Sequence, residues 1–238
     1  MPTPWWSTAF GPHYTDVYAH RDDGAAAAEV AGLLPRLRAA PGPVLDACCG
    51  SGRHLAALRA AGIQAFGFDY SPPLLTTAAK RPHCAGRLVR SDMRAPALSG
   101  GWGAVLLLFT AFGYFDDAQN AASLTTLGQL LAPGGWLVLD LPEPEALIAG
   151  LVPSSVRHTP AGLDVSECRR VVEGRIEKTV ELSRAGVVIE HYVESVRLYR
   201  RDEVVTLATA VGLTVMDVWT GMRGSGIDDG RLMFWLRR

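Results

Sequence analysis

The 238-residue chain is 48% hydrophobic and 20% charged, with no run of like charge, which excludes a disordered, collagen-like or mucin-like polypeptide. Lys and Arg number 23 against 24 Asp and Glu, a net charge of -1. No global field therefore draws the protein to a phosphate backbone or an anionic membrane, and a nucleic-acid partner would need a local patch.

Cysteines 48, 49, 84 and 168 form neither a dense disulfide framework nor a C-x-x-C knuckle, so they are read as reduced thiols and no metal site is expected. The N-terminal residues lack a basic start and a continuous apolar stretch, and no segment offers about 18 uninterrupted apolar residues. The expectation is a soluble, cytoplasmic protein with no membrane association.

In chain order, Trp5, Trp6, Phe10, Tyr14 and Tyr18 form an aromatic N-terminal segment, in which a helix would align Tyr14 with Tyr18. A helix is predicted over Gly24 to Ala40, with Pro35 shortening or kinking it. From Pro43, short apolar runs alternate with helical stretches: a strand ending near Cys48, a helix over Leu55 to Ala61, a strand ending at Asp69, and a helix opened by Ser71 and Pro72. A strand ending at Asp92, an apolar strand before Phe109, a helix ending near Ala132-Pro133-Gly134-Gly135 and a strand ending near Leu141 follow. Nearly continuous apolar strands separated by helices predict a parallel sheet covered on both faces.

Residues 142–200 break the rhythm. Their Val, Ile, Thr and Tyr content, with Glu173-Gly174 and Ala185-Gly186 as turns, predicts a three-stranded antiparallel meander. Strict alternation through two-residue turns collects Val165, Val171, Ile176, Val180, Leu182, Ile189 and Val193 on one face, with His191 beside them. The other face takes Arg170, Glu177, Thr179, Glu181, Glu190, Tyr192 and Glu194. That second face is expected to be solvated or to form an anionic roof over a cationic amine. A helix from Asp202, a strand ending near Trp219, a glycine-rich loop and a final strand complete the chain.

The sharpest motif runs from Val44 to His54, a strand entering a glycine turn and then a helix. Gly50 and Gly52 let the backbone turn tightly against a ligand. Asp69 ends the next strand about 20 residues on, where a carboxylate accepts bonds from ribose hydroxyls. Asp92, beside Met93, ends the third and is placed to frame an adenine. Leu55 stands where a dinucleotide fingerprint needs a small residue, and Asp46 would oppose a pyrophosphate but suits an ammonium and a sulfonium. No nucleotide-triphosphate loop is present.

With Phe109-Thr110-Ala111-Phe112-Gly113-Tyr114-Phe115 and Ala132-Pro133-Gly134-Gly135, these strings resemble the class I S-adenosylmethionine-dependent methyltransferases. The resemblance implies an α/β fold, a doubly wound, mostly parallel, Rossmann-like seven-stranded sheet with an antiparallel β insertion. It implies S-adenosyl-L-methionine as cofactor, held by Tyr14, Tyr18, Asp46, Cys49, Gly50, Gly52, Arg53, Asp69, Tyr70, Asp92, Met93 and Phe109. One domain is expected: an N-terminal helical lid over 1–42, the cofactor core over 43–141, the β insertion over 142–200 and the rest of the core over 201–238.

Methyl transfer is an in-line displacement that depends on orientation, so no acid/base dyad is required. His13 and Tyr114 are the candidate catalytic groups. Because the Asn/Asp-Pro-Pro-aromatic string of many nucleic-acid methyltransferases is absent after the fourth strand, a small-molecule acceptor is favoured, with nitrogen ahead of oxygen or carbon. An RNA or protein methyltransferase and a non-catalytic cofactor-binding module stand as alternatives. The insertion resembles that of small-molecule N-methyltransferases, including aminosugar ones, where it roofs the substrate or forms a homodimer contact.

Overall fold

The computed structural model describes residues 4–19, 21–221 and 230–238. Most of the glycine-rich loop expected before the last strand, residues 222–229, lies outside them. Helices α1 (Tyr14–Val17) and α2 (Asp23–Arg38) precede strand β1 (Val44–Ala47). The core continues with α3 (Arg53–Ala60), β2 (Ala65–Asp69), α4 (Pro72–Ala79), β3 (Leu88–Arg90), β4 (Trp102–Leu107), α5 (Asp117–Gln129) and β5 (Leu131–Pro142).

Caps fix the helix starts. The side chains of Asp22, Ser71 and Asp116 accept from the amides of Ala25, Leu74 and Gln119, and Pro72 sits at the first helical position of α4. Pro35 lies inside α2 without ending it. The Ala132 to Gly135 segment is not a helix end. Helix α5 stops at Gln129, and those residues already belong to β5, whose pairing with β4 shifts register there.

Beyond the core come α6 (Pro144–Ala149), β6 (Ser154–His158), β7 (Asp164–Val172), β8 (Arg175–Arg184) and β9 (Val187–Arg197). The chain closes with α7 (Arg201–Ala210), β10 (Thr214–Trp219) and β11 (Arg231–Arg237). Seven strands form one sheet in the order β10-β11-β5-β4-β1-β2-β3, parallel except where β11 runs antiparallel to β5 and β10. Its two faces alternate along each strand. Val105 and Leu107 of β4 pack under α5 and α7 with Leu124, Leu127 and Val204, while Ala104 and Leu106 pack under α2 and α3 with Leu33 and Leu55. Helix α2 is thus part of the core, and only the segment before it lies over the sheet's open end.

The insertion is a four-stranded antiparallel sheet, β6-β7-β8-β9, one strand more than the meander expected, and α6 also went unforeseen. Ser154 to His158 alternates apolar and polar too weakly to stand out, yet pairs with β7 along its whole length. The turns at Glu173-Gly174 and Ala185-Gly186 have φ values of 49° and 72°, and of 49° and 77°, the left-handed pair that a tight hairpin needs.

One bulge overturns the expected facing of β9. Ser183 pairs with Val188, but Leu182 pairs with Glu190, so Ile189 is an extra residue. A one-residue shift sends every later side chain to the opposite face. Tyr192 and Val196 turn inward with Val180 and Ile176, and Glu190 and Glu194 turn inward beside Leu182 and Lys178. Val193 and His191 turn outward and are exposed, so His191 is not the core histidine its position suggested. On β7 and β8, Val165, Val180 and Leu182 are fully buried and Glu181 is exposed, as expected, but Val171, at the hairpin end of β7, is exposed.

Candidate active site

The carboxyl ends of β1, β2 and β3 stand side by side, and they bring Asp46, Asp69 and, two residues beyond β3, Asp92 around one cavity. The turn after β1 takes left-handed conformations at Cys48, Gly50 and Gly52, with φ of 59°, 54° and 76°. A Cβ at Gly52 would lie 2.9 Å from that of Ala78, so the loop seats on α4 at a distance only glycine allows. At Gly50 the nearest protein atom would be 3.9 Å away, and this residue lines the cavity.

The three carboxylates differ in what they already bind. Asp69 accepts from the amides of Gly50 and Ser71, both at 2.8 Å, and burial raises its pKa. Asp92 is clasped by Arg94 through Nη2 at 2.6 Å, Nε and the backbone amide; although burial opposes it, these bonds hold its carboxyl below the usual range. Asp46, 2% exposed, has an Oδ2 with no partner. Burial pushes its pKa up to about 7, against the lowering influence of Arg53.

Arg53 offers the complement. Its Nη1 is bound to Glu29 at 3.1 Å, but Nη2 is buried without a partner in the same cavity. An unpaired acceptor and an unpaired donor, one from each side of a glycine turn, fit the ammonium and carboxylate of an amino acid, as in the methionyl end of the expected cofactor. Glu29 also takes His54 Nε2 at 2.6 Å, which ties α2 to the start of α3.

The N-terminal segment closes this cavity with rings. Trp6 meets Tyr70 and Phe115 edge-on at 5.2 and 5.8 Å, and Trp5 and Phe10 pack on Tyr114 at 4.9 and 5.7 Å. The segment consists of a short 3-10 turn (Trp5–Ser7) and the four-residue α1, not the longer helix that the aromatic spacing suggested. It is held from the far side by the insertion, where Ala9 and Val17 pack with Val165, Val180, Leu182 and Tyr192.

A second cavity of about 840 Å³ lies beneath the insertion. It meets the first at Phe10, Tyr14, Phe109 and Tyr114, which line both. Phe109 and Thr110 are left-handed, with φ of 63° and 59°, a conformation that costs non-glycine residues energy. Buried Asp140 holds this turn by accepting from Phe109 N at 2.5 Å, and Arg231 binds both Asp140 and Thr110 Oγ1. The Arg21 guanidinium lies 3.3 Å from the Phe109 ring centre.

The second cavity is lined by five cationic side chains, Arg21, Arg157, Arg169, Lys178 and Arg231, against two carboxylates, Glu167 and Glu194. This inverts the anionic roof expected from Glu181 and Glu190. Glu181 faces solvent, and Glu190 lies 4.0 Å from His13, away from both cavities' linings.

Of the residues anticipated from sequence, Tyr14, Asp46, Cys49, Gly50, Arg53, Asp69, Tyr70, Asp92, Met93 and Phe109 line the first cavity together. Gly52 instead packs on α4, and Tyr18 lines the second cavity. Tyr114 stands at the junction, where burial drives its phenol pKa well up and keeps it neutral. His13 is directed at Asp16 and Glu190 and lines neither cavity. Trp6, Phe10 and Phe115 were not singled out as ligand-lining; the aromatic density of the segment was visible, but not which ring would meet which strand end. Among the described residues no group of His, Cys, Asp and Glu could hold a metal ion, and no helix is long and apolar enough to cross a membrane.

Comparison with known proteins agrees with this arrangement. Residues 44–135 match a family described as a methyltransferase domain. The chain is 28% identical over 215 residues to a dTDP-3-amino-3,4,6-trideoxy-α-D-glucopyranose N,N-dimethyltransferase from Streptomyces venezuelae, spanning 87% of this chain and 90% of that one. Its structure is similar to SAM-bound CalS10, an amino pentose methyltransferase from Micromonospora echinaspora, at 27% identity and a TM-score of 0.72, covering 94% of this chain and 96% of that one. A Clostridium acetobutylicum S-adenosylmethionine-dependent methyltransferase shares the fold at 12% identity, with a TM-score of 0.78 over 94% of this chain and 95% of that one. The glycine turn, the three aspartates at adjacent strand ends and these likenesses together place the chain in the class I S-adenosylmethionine-dependent methyltransferases.

Proposed function

We propose that the enzyme transfers methyl groups from S-adenosylmethionine to the amino nitrogen of a nucleotide-linked deoxyaminosugar. The observation that carries this reading is the second cavity. It is large enough for a sugar and its phosphates, meets the cofactor cavity at four aromatic residues, and carries more cations than carboxylates. A free aminosugar would be a cation and poorly matched to such walls; a sugar carrying a nucleoside diphosphate is an anion and well matched. The N,N-dimethyltransferase relatives act by name on dTDP-linked aminosugars, which supports the same class.

When bound, the cofactor supplies an electrophilic methyl on a sulfonium. In this reading Asp46 and Arg53 take its ammonium and carboxylate, Asp69 its ribose hydroxyls, and Asp92 with Met93 and Tyr70 its adenine. Phe10, Tyr14, Phe109 and Tyr114 exclude water at the junction and offer aromatic faces to positive charge. The strained Phe109 turn, fixed by Asp140 and Arg231, holds that aperture rigid, and orientation of this kind can supply about 7 to 11 kcal/mol of a barrier.

The test is incubation of the purified enzyme with S-adenosylmethionine and dTDP-3-amino-3,4,6-trideoxy-α-D-glucopyranose, followed by mass spectrometry. Successive mono- and dimethyl products are expected, with far less from the free aminosugar. Cofactor binding with no methylation of any amino nucleotide-sugar would overturn the acceptor class.

A further inference from the structure

Two carboxylates line the acceptor cavity, and they are not equivalent. Glu167 is consumed by cations: Arg169 binds its Oε2, and Arg157 and Lys178 lie 3.6 and 3.8 Å from its Oε1. Among the described residues Glu194 has a single cationic partner, Lys178 Nζ at 2.8 Å from Oε2, and it accepts from the Tyr18 hydroxyl at 3.2 Å. Lys178 also donates to the Tyr18 oxygen and lies 4.6 Å above that ring, so the three groups close a triangle. A carboxylate offers about four lone-pair sites, and the triangle leaves at least one of Glu194's open to the cavity.

The triangle lies next to the junction. Tyr18 packs on Tyr14 at 4.6 Å between ring centres, and Tyr14 lines both cavities. The Glu194 charge reaches Tyr14 and Tyr114 and helps hold both as neutral phenols, after burial itself. Neither phenol can then accept a proton. His13 and Glu190 line neither cavity, Glu167 is taken by three cations, and Asp140 is taken by Arg231 and the Phe109 amide, so Glu194 is the carboxylate of the second cavity with the fewest cationic partners.

We infer that Glu194, oriented by Lys178 and Tyr18, is the group that receives the N–H of the acceptor amine, aims its lone pair through the Phe10–Tyr114 aperture and takes up its proton. The inference rests on the amine acceptor proposed above. The bound ammonium passes one proton to Glu194 and on to water, the freed amine lone pair forms the new N–C bond, and the S–C bonding pair stays on sulfur. The titratable and charged groups facing Glu194 are Lys178 from β8, Glu167 and Arg169 from β7, Tyr14 of α1 and Tyr18 just after it, and Tyr192 on its own strand. Lys178 and Tyr18 fix the orientation of the carboxylate from two sides.

The test compares wild type with Glu194→Gln on the aminosugar nucleotide above and on its hydroxy counterpart. Equilibrium binding by calorimetry should show a preference for the amine that falls by roughly tenfold or more in the variant, the loss of one charge-assisted hydrogen bond. Methyl transfer should fall about 100-fold or more near pH 7, with the deficit shrinking above pH 9, where the amine is already unprotonated. A carboxylate that only clamps the lid would give a pH-independent deficit and an unchanged amine preference, and either result overturns the assignment. If Glu194→Gln does not fold, Glu194→Asp carries the test: it should keep the amine preference and lower kcat, and an unchanged kcat overturns it. Wild-type enzyme that methylates no amine while still binding cofactor overturns the proposed function, and this assignment with it; methylation equal in wild type and Glu194→Gln overturns this assignment alone.

Discussion

The amide of Gly50 donates to Oδ2 of Asp69 at 2.8 Å, so the residue assigned to the ribose also fixes the glycine turn assigned to the methionyl end. The Ser71 amide holds the other oxygen at the same distance. Asp69→Ala should therefore do more than remove a ligand contact. Hydrogen bonds to a charged group contribute about 1.5 to 3 kcal/mol each, so cofactor affinity should fall roughly 10- to 150-fold. The unbound protein should also melt lower, because two buried amides lose their acceptor. Calorimetry and thermal unfolding check the two effects, and an unchanged melting point in the unbound variant would show that the turn does not depend on Asp69.

Asp46 makes the cofactor-free protein sensitive to pH. Its folded pKa of about 7 lies above the ordinary value near 3.9, chiefly through burial. The folded state thus holds the extra proton between these values, and its contribution to stability, present below about pH 4, is lost as the pH rises toward 7. The loss is at most about 4 kcal/mol. Asp69, also raised by burial, adds in the same direction. Chemical denaturation from pH 4 to 7 should show stability falling with pH, and Asp46→Asn should flatten much of the slope.

The same ionisation couples to the ligand. An ammonium beside Asp46 favours the carboxylate, so cofactor binding between pH 5 and 7 should release protons, and affinity should weaken as the pH falls. Titration calorimetry in buffers of different ionisation enthalpy measures the proton count. Proton uptake would contradict the pairing of Asp46 with the ammonium.

The gathering of the strand-end residues around the first cavity was legible because it is local. Each of Asp46, Asp69 and Asp92 is set by the end of its own strand, and a parallel sheet then brings successive strand ends together by topology. The lining of the second cavity was not legible, because it depends on contacts between segments far apart in the chain. Nothing near Lys178 announces that it will meet Tyr18, 160 residues earlier. Nor does alternation along β9 reveal a bulge, since Val187, Val188 and Ile189 are all apolar and either register looks plausible until the partner strand is seen.

Arg231 and Asp140 test how firmly the aperture is held. Asp140 is 0% exposed and its charge is answered by Arg231 Nε at 2.5 Å and the Phe109 amide at 2.5 Å. Removing one partner of a buried pair costs about 3 to 5 kcal/mol, so Arg231→Met should lower the melting point by roughly 10 °C or more. It should also release the left-handed turn at Phe109 and Thr110. A melting point within a degree of the wild type would mean that Asp140 is satisfied without Arg231.

The register that the Ile189 bulge sets along β9 offers the sharpest test of how the insertion serves the site. Deleting Ile189 itself would leave every later residue opposite its present partner, whereas deleting His191, beyond the bulge, moves Val193 opposite Val180 and Ser195 opposite Lys178. Val193 and Ser195 would then turn toward the cavity, and Tyr192, Glu194 and Val196 toward solvent. The N-terminal segment would lose Tyr192 from the apolar cluster that seats Ala9 and Val17, and Tyr18 would lose Glu194. The core sheet shares no strand with the insertion, so its hydrogen exchange should stay protected while residues 4–19 and 187–197 exchange faster. His191→Ala is the control, since it keeps the length of the strand and removes only an exposed side chain; it should leave protection within error of the wild type. If the deletion left residues 4–19 as protected as before, that segment would owe its seat to the aromatic contacts with Tyr70, Tyr114 and Phe115 alone, and the register of β9 would have no bearing on it.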